Sequence, residues 1–580
     1  MTNRANVNPE NTLPEEPHRL EAQRRENRAA VANLGLNPYG ARTTGIVSVA
    51  DARARYDEKA DAEYQANSKA PPPGFVDGRP RVKVAGRVML KRDGGKLIWL
   101  QVRDHTSGPK ELIEGSAPSP SGRGQGKGFA SSPPSSASPD SSGLARMLVP
   151  DLQIAVSAKD VAAPGFDVAK LLDLGDVIVA EGPLMRTKAG EITIWASSLT
   201  MASKSLMPPP AKHEGLHDVE IRYRRRYVDL NANPETLQAF KLRSLIASTV
   251  RRFLDGRGFV EVETPMLQTL AGGAAARPFV THMNALDIDL FMRIAPELYL
   301  KRLLVGGIPR VYEINRNFRN EGLDKQHNPE FTMLEVYEAF GDCETVMEMT
   351  ESLVRECARA VVGATAPGGG DVKLALAFNE HSIDYASPFA RVTYAELFEK
   401  SLGFPVADHA KTKSEAKKRG LKHEGLAHVL IANELFETYA EKSLDPAKPT
   451  FITEYPAALS PLTRPKPGHP EVAERADLFI GGMEIAPHYT ELNDPDVQEQ
   501  KFREQLQGLD DEESTFRTFD QDFIDALKVG MPPAGGMGLG IDRLCMLLLN
   551  QRTIRDVVLF PMMRPQSTSP APAVPPTGLA

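Results

Sequence analysis

The sequence predicts an α+β protein with more than one domain, and two patterns support that prediction. Short strand-like runs broken by glycine-containing turns occupy residues 81–198, which is typical of a small β-barrel. Beyond about residue 236, amphipathic helices alternate with strand pairs that carry polar side chains. The chain has 580 residues, and that length suits about two or three domains.

Composition excludes several classes of protein. The formal net charge of −7 gives no overall basic field, so any contact with nucleic acid needs a local basic patch. The three cysteines, Cys343, Cys357 and Cys545, show no CxxC spacing, which argues against a disulfide framework or a zinc site. The N-terminus lacks the apolar segment of a signal peptide, and no apolar run reaches about 18 residues. These features predict a cytoplasmic protein.

The first 70 residues are predicted to contain a disordered start and a charged helix. Residues 1–17 are polar and proline-rich, and a helical pattern follows from about His18 to Leu34. Two interpretations are equally supported, a solvated helix or a basic helix that lies along RNA phosphates. The second interpretation would use Arg19, Arg24, Arg25 and Arg28.

A proline-rich linker at residues 71–75 opens the predicted barrel domain, residues 71–203. Its strand runs are Arg81–Leu90, Lys96–Arg103, Leu152–Ser157, Val177–Arg186 and Glu191–Ser198. Their number fits an OB-fold. Residues from about 110 to 144 are a Ser, Pro and Gly-rich segment that cannot bury a core, and a tolerated surface insertion is favoured over a nucleic-acid contact.

Residues 204–235 are predicted to connect this barrel to a larger domain at 236–565, which precedes a proline-rich, disordered tail at 566–580. The connector contains RYRRRY, residues 222–227, in which cations and aromatics are interleaved. An RNA-facing hinge and a buried salt-bridge network explain this run equally well.

The most informative stretch is 311–340, which is predicted to form two strands joined by a polar turn that carries His327. Alternation puts Glu313, Asn315, Asn317, Arg319 and Glu321 on one face of the first strand, and Phe331, Met333, Glu335 and Tyr337 on one face of the second. Arg319 offers a planar fork for phosphate or carboxylate, and Phe331 offers a surface for a base. For an arbitrary hairpin, a solvated face would be the better interpretation.

Two later stretches also carry chemistry. DLFIGGMEIAPHYTELNDP, residues 477–495, is predicted to turn at Gly481 and Gly482, so that Phe479 faces Glu484 and Asp477 lies diagonally on the same face. Two carboxylates on one face suit Mg²⁺ with substrate phosphates, although a solvated acidic face is an alternative. In GGMGLGIDRLCMLLL, Arg543 begins an apolar helix and needs an anion or a carboxylate partner.

These motifs together resemble the class II aminoacyl-tRNA synthetases. FRNE followed by HNPEFT resembles their motif 2 in its lysyl form, RGFVEVETPML resembles motif 1, and GMGLGIDRL resembles motif 3. The motifs occur in the family order, and the likeness to bacterial-type, class IIb lysyl-tRNA synthetases covers roughly residues 18–564. It implies an N-terminal OB-fold that binds the anticodon and a catalytic domain built on an antiparallel sheet flanked by helices.

The resemblance implies a two-step reaction on a homodimer. L-lysine is activated with ATP to lysyl-adenylate, and lysine is then transferred to the 3′-terminal adenosine of tRNA(Lys). Arg319 and Arg543 are the implied catalytic residues, and the implied ATP contacts are Arg319, Glu321, His327, Phe331 and Arg543. Asp477 and Glu484 match the positions that hold Mg²⁺.

The same resemblance implies the residues that select lysine and tRNA. Glu297 and the backbone near Gly273 receive the α-amino group, Glu491 and Tyr337 receive the ε-ammonium, and Glu335 and Tyr489 complete the pocket. The implied anticodon contacts are Lys91, Arg92, Trp99 and Gln153.

Two positions depart from the family pattern. Asp477 stands where the family commonly has Glu, and Pro487 stands where an Asn binds the substrate carboxylate. Pro487 has no side-chain donor and no N–H, and alternation directs it into the pocket. One hypothesis is that His488 compensates if the strand bulges. The alternatives to a lysyl enzyme are a lysine-activating paralogue with another acceptor, and a non-catalytic RNA-binding protein on a synthetase scaffold.

Overall fold

The computed structural model describes residues 16–109, 148–210, 216–274, 276–365, 373–507 and 519–566, and the chain divides into two compact units after Gln238. The low-complexity segment predicted at 110–144 lies outside the described residues, as do residues 1–15 and 567–580. Within the part that is described, no helix combines the length and the apolar character needed to cross a membrane.

The first unit is a β-barrel with helices around it. Its strands are β1 (Arg81–Asp93), β2 (Leu97–Arg103), β3 (Ser107–Gly108), β4 (Val149–Pro150), β5 (Leu152–Ser157), β6 (Val177–Arg186), β7 (Ile192–Trp195) and β8 (Ser198–Ser203). Its helices are Glu16–Asn33, Val49–Ala54, Glu58–Asn67, Gly165–Leu171, Val219–Arg224 and Arg226–Ala232. The order β1-β2-β5-β7-β6 closes because β6 also pairs with β1, so the predicted five-stranded OB-fold barrel is confirmed.

Alternating side chains fill this barrel. Ile98, Leu100 and Val102 of β2 are buried, and the residues between them are partly exposed. Gly182 of β6 allows the strands to approach closely, because a Cβ at this position would lie 2.1 Å from the carbonyl oxygen of Trp195. The strand Ser198–Ser203, which pairs with β6, begins where the predicted run Glu191–Ser198 ends and was not predicted from the sequence.

Buried arginines anchor the segments on either side of the barrel strands. Arg24 donates to the carbonyl oxygens of Ser205 and Leu174, at 2.9 and 3.0 Å, whereas Arg25 pairs with Glu21 on the exposed side of its own helix. In the 222–227 run, Arg222 and Arg226 both bind Asp229, at 2.8 and 2.5 Å. The salt-bridge interpretation of that run therefore matches the structure.

The second unit contains the helices Pro234–Asp255 (whose first residues are counted in the first unit), Glu297–Val305, Cys343–Thr365, Tyr394–Leu402, His409–Lys418, His428–Leu435, Pro495–Gln507, Gln521–Gly530, Ile541–Leu548 and Ile554–Val557. Its strands are β9 (Val260–Glu261), β10 (Leu267–Gln268), β11 (Val280–Met283), β12 (Ile288–Met292), β13 (Arg310–Phe318), β14 (Glu330–Ala339), β15 (Ala375–Phe378), β16 (His381–Asp384), β17 (Ala390–Thr393), β18 (Thr450–Thr453), β19 (Pro465–Lys466), β20 (His469–Ala473), β21 (Arg475–Ile480), β22 (Met483–Thr490) and β23 (Ala534–Gly540).

An eight-stranded sheet in the order β17-β18-β21-β22-β23-β14-β13-β9 organises this unit. Neighbouring strands from β18 to β13 run antiparallel, and only the two edge strands pair in parallel. One face of the sheet is apolar and buried, with Val336 of β14 beside Met537 of β23. The opposite face carries the polar side chains. The predicted α+β class and antiparallel catalytic sheet are thus confirmed.

We expect Arg24→Ala to destabilise the first unit by about 1–3 kcal/mol, because two partly buried carbonyl oxygens lose a charged donor. The measurement is urea unfolding followed by tryptophan fluorescence, which reports on the barrel because both tryptophans of the chain, Trp99 and Trp195, lie in it. Arg25→Ala is the matched control and should change stability by no more than about 0.5 kcal/mol. Equal effects of the two substitutions would contradict the anchoring role of Arg24.

Candidate active site

The register of the sheet gathers the predicted polar residues on one face. Glu313 lies opposite Glu335, and Asn317 lies opposite Phe331. On the other side of β14, Tyr337 pairs with Gly536 of β23, which also pairs with Tyr489 of β22. Four adjacent strands therefore contribute to a single polar surface.

Glycines on β23 make room for this surface. A Cβ on Gly536 would lie 1.9 Å from Oε1 of Glu491 and 2.6 Å from Cε1 of Tyr337. Gly538, two residues further, is similarly crowded by Met333. The side chains of the flanking strands thus meet above a strand that has none of its own at these positions.

Arg319 lies just beyond the end of β13, beside Phe331. Its guanidinium carbon is 5.2 Å from the centre of the Phe331 ring, and its enclosed Nε has no hydrogen-bond partner among the described residues. Burial lowers the pKa of Arg319, although Glu321, Glu335 and Glu484 oppose the shift. A half-buried guanidinium with an unused donor, next to an aromatic ring, suits an anionic and planar ligand.

A second basic group forms at the start of the helix Ile541–Leu548. Arg543 donates from Nη1 to the carbonyl oxygen of Glu484 at 2.7 Å and contacts Nε2 of His327 through Nη2 at 3.0 Å. Nδ1 of His327 lies 2.8 Å from Oδ2 of Asp324. If Arg543 donates to Nε2, the His327 proton resides on Nδ1 and points to Asp324. The structure therefore brings His327 and Arg543 together.

The acidic residues predicted to select lysine converge on a lysine of the chain itself. Lys301 is fully buried, and its Nζ lies 2.6 Å from Oε1 of Glu297 and 2.5 Å from Oε2 of Glu491. Burial alone would lower the pKa of Lys301, but the charges of Glu297 and Glu491 outweigh it and raise that pKa. Gly273, with φ +84°, lies against Glu297, since a Cβ there would be 3.1 Å from the Glu297 Cβ.

Lys301 is absent from the set of site residues that the sequence analysis identified. The sequence contained one signal for it: a lysine four residues after Glu297 lies on the same face of a helix as that glutamate. The leucines of this helix face a core. Glu335 and Tyr337 complete the acidic end. The Tyr337 hydroxyl donates to Glu335 at 3.2 Å, and burial, followed by the charge of Glu297, raises the pKa of Glu335 to about 8.

The two carboxylates predicted to hold Mg²⁺ lie in different surroundings. Asp477 accepts two hydrogen bonds from Arg475, at 3.0 and 2.6 Å. Glu484 is open to solvent, and the protein packed around it, together with the charge of Asp477, raises its pKa. No set of three or more His, Cys, Asp or Glu side chains in the described ranges is arranged to hold a metal. A site that uses one or two carboxylates plus substrate phosphates remains compatible with this donor set.

The strand β22 contains a bulge, and its position decides which residues face the pocket. Phe479 pairs with Glu484, as predicted, but Leu478 pairs with Ala486, so Ile485 is the extra residue. Asp477 therefore lies opposite Pro487, on the same face as Glu484. Pro487 does point to the polar face, as alternation predicted.

The hypothesis that His488 replaces the missing Asn is wrong. His488 lies on the opposite, buried face, where Nε2 is 2.9 Å from the Thr350 hydroxyl and Nδ1 is 3.1 Å from the carbonyl oxygen of Ala476. The bulge precedes His488 and keeps it turned toward the helix Cys343–Thr365. Burial lowers the pKa of His488 to about 4, so it packs as a neutral residue.

Comparison with known proteins identifies the family. The family described as class II tRNA synthetases (D, K and N) matches residues 218–564. The lysine–tRNA ligase of Pelotomaculum thermopropionicum is 40% identical over 95% of this chain and 96% of its own length. The corresponding ligase of Pseudomonas aeruginosa is 42% identical over 96% of this chain and 98% of its own, and the heat-inducible ligase of Escherichia coli is 47% identical over 69% and 78%.

The chain belongs to the class II tRNA synthetases. The resemblance stated from motifs 1, 2 and 3 is therefore confirmed, and the protein is an aminoacyl-tRNA synthetase.

The barrel of this synthetase presents most of the predicted anticodon residues on one outer face. Arg92 pairs with Trp99, and Gln153 accepts a hydrogen bond from the Thr193 hydroxyl at 2.8 Å on a nearby strand. Trp99 also meets Trp195 edge to face at 6.5 Å, an aromatic that the sequence analysis missed although it belongs to a predicted strand run. Lys91 does not join this face, because its ammonium donates to the carbonyl oxygens of Lys170 and Leu172.

We expect Gly536→Ala to disrupt the acidic end of the synthetase site, because a methyl group would collide with Glu491 and Tyr337. The expected loss is about 2 kcal/mol or more in the unfolding free energy of the second unit, measured by chemical unfolding with circular dichroism. Gly540→Ala on the same strand is the control, since its new Cβ would meet nothing nearer than 3.6 Å. Comparable losses from both substitutions would refute the crowding argument.

Proposed function

We propose that this synthetase is a lysine–tRNA ligase, which activates L-lysine with ATP and transfers it to the 3′-terminal adenosine of tRNA(Lys). The observation that carries the proposal is the pair Glu297 and Glu491, two enclosed carboxylates that share one ammonium group. Relatives named lysine–tRNA ligase, similar over nearly the whole chain, support the same assignment. In a pocket with this charge, an acidic substrate would be repelled and a neutral one would leave Glu491 without a second cation.

The activation step needs no nucleophile from the protein. The lysine carboxylate oxygen forms a bond to the α-phosphorus of ATP, the bond to the bridging oxygen breaks, and pyrophosphate leaves with the electron pair. In this proposal Arg319 binds the α-phosphate and the lysine carboxylate, while His327 and Arg543 bind the outer phosphates. Phe331 stacks on adenine, and Glu321 lies near its edge. Catalysis then consists of positioning and charge stabilisation.

Lysine is held at both ends in this proposal. Glu297 and the backbone at Gly273 receive the α-amino group, and Glu491 with Tyr337 receives the ε-ammonium. Glu335 and Tyr489 line the same face of the sheet. Pro487 offers no donor, so Arg319 is the group that remains for the substrate carboxylate.

We also propose that ATP enters with Mg²⁺. Glu484 is the better direct ligand, because Arg475 already occupies both oxygens of Asp477. When bound, the metal neutralises charge on the phosphates. The shorter side chain of Asp477, compared with the Glu that the family commonly has, agrees with a role through a metal-bound water.

The remaining assignments concern the partners of the chain. The barrel domain, residues 71–203, is proposed to bind the anticodon through Trp99, Arg92 and Gln153, and residues 236–565 form the catalytic domain.

Exposed apolar side chains near β9–β12 support a homodimer: Val260, Leu267, Val280, Met283 and Ile288. Sedimentation equilibrium should then give twice the chain mass of 63.4 kDa. A cytoplasmic location is supported by the three unpaired cysteines.

We expect ATP–pyrophosphate exchange to depend on lysine among the twenty amino acids, and Glu491→Gln to reduce kcat/KM for lysine by about 100-fold or more. The amide removes the charge that an enclosed ammonium requires. Glu437→Gln, a change to an exposed glutamate, is the control and should leave exchange unchanged. Near-native exchange by Glu491→Gln would remove Glu491 from the specificity pocket, and exchange with another amino acid would overturn the lysine assignment.

We expect Trp99→Ala to raise KM for tRNA(Lys) in aminoacylation by about tenfold, because one base loses its stacking partner. ATP–pyrophosphate exchange, which does not involve the anticodon, should stay unchanged. Lys159→Ala on the exposed surface of the same domain is the control. An unchanged KM for tRNA would show that the outer face of the barrel does not bind the anticodon.

A further inference from the structure

The acidic end of the lysine pocket holds three carboxyl groups around a single ammonium group. Glu297, Glu335 and Glu491 lie close enough to interact electrostatically, and Lys301 is the cation in contact with two of them. The positive charges of Arg319 and Arg293 lower the pKa of Glu335, but Arg293 is already bound to Glu313 at 2.6 Å. A purely structural ion pair would need one carboxylate rather than two around an enclosed ammonium.

Within the described ranges, Lys301 is the cation that forms ion pairs with Glu297 and Glu491. On the helix Gln521–Gly530 side, Asp520 is bound by Arg302 at 2.7 Å. From β14 come Glu335 and Tyr337, which bind each other. Tyr489 of β22 lies near Glu297 without adding positive charge.

Each carboxylate also keeps one oxygen available. Glu297 contacts Lys301 through Oε1, and Glu491 contacts it through Oε2. Oε1 of Glu491 is buried and has no hydrogen-bond partner among the residues that the structure describes. It lies directly above Gly536 on the polar face of the sheet. An enclosed anionic acceptor with an unused oxygen is an incomplete site for a cation.

We infer that Lys301 is a positioning residue for lysine selection: its ammonium bridges Glu297 and Glu491 and fixes both carboxylates, which leaves one oxygen of each for a substrate amino group. The inference rests on the proposed lysine-binding function of these two glutamates. Lys301 itself takes no part in bond making, and it acts only through its two partners.

The first test compares Lys301→Met with Lys528→Met, a change to a half-exposed lysine on the neighbouring helix. Without the shared cation, the two carboxylates repel each other and lose the fixed positions from which they would bind the two amino groups. We expect KM for lysine in ATP–pyrophosphate exchange to rise by about tenfold or more at pH 7. The values of kcat and of KM for ATP should stay within about threefold, because Arg319 and Arg543 are untouched.

Rescue by a conservative variant separates positioning from a merely structural role. Lys301→Arg keeps the cation and should bring KM for lysine back to within about threefold of the wild-type value. A KM for lysine that stays as high in Lys301→Arg as in Lys301→Met, or a defect confined to kcat, would overturn the inference.

A measurement on the unaltered protein covers the case in which Lys301→Met does not fold. A crystal structure of the wild-type enzyme with lysine should show the ammonium of Lys301 still within about 3 Å of Glu297 and Glu491, and a second oxygen of each glutamate within about 3 Å of a substrate amino group. Displacement of Lys301 from either glutamate would overturn the inference.

The two proposals fail in different ways. Exchange that does not depend on lysine in the wild-type enzyme would reject the proposed function, and the inference with it. Exchange that depends on lysine, together with a KM for lysine that is unchanged in Lys301→Met, would leave the function standing and reject the inference alone.

Discussion

The geometry of the active site depends on one steric constraint, the absence of side chains on the polar face of β23. Gly536 and Gly538 occupy positions at which a methyl group would overlap Glu491, Tyr337 or Met333. Because adjacent strands are only about 4.8 Å apart, large side chains from both neighbours can meet above a strand only if it carries hydrogen atoms there. The acidic end of the pocket, including the contact of Glu491 with Lys301, is built in that space.

Charge is segregated along the same face. Arg319, His327 and Arg543 form a basic end, whereas Glu297, Glu335 and Glu491 form an acidic end around Lys301. A substrate with amino groups at one end and an activated phosphate at the other can bind in only one direction along this face, with its amino groups at the acidic end. In the proposed function, selection of lysine and alignment for attack on the α-phosphate both follow from this one charge distribution, and neither needs a reactive group on the protein.

Sequence periodicity predicted the elements of this site better than their contacts. Alternation fixed the polar faces of β13 and β14 and the pairing of Phe479 with Glu484, because a strand has a period of two. It also put Pro487 on the pocket face and His488 on the other, but it gave no sign of the extra residue at Ile485 or that Arg475 binds Asp477. Lys301 was missed because helical spacing indicates a shared face but not the depth of burial. Lys91 and Arg92 are adjacent in sequence but point to opposite sides of their strand, as their different partners reflect.

The central claim is that two fixed carboxylates, held by Lys301, receive the two amino groups of lysine. A crystal structure of the enzyme with a non-hydrolysable lysyl-adenylate analogue tests it most directly. The account predicts the ε-ammonium about 3 Å from Oε1 of Glu491 and the α-amino group about 3 Å from Glu297, with Lys301 still bridging both glutamates. A ligand bound in the reverse direction, or Lys301 displaced from the glutamates by the substrate, would contradict it.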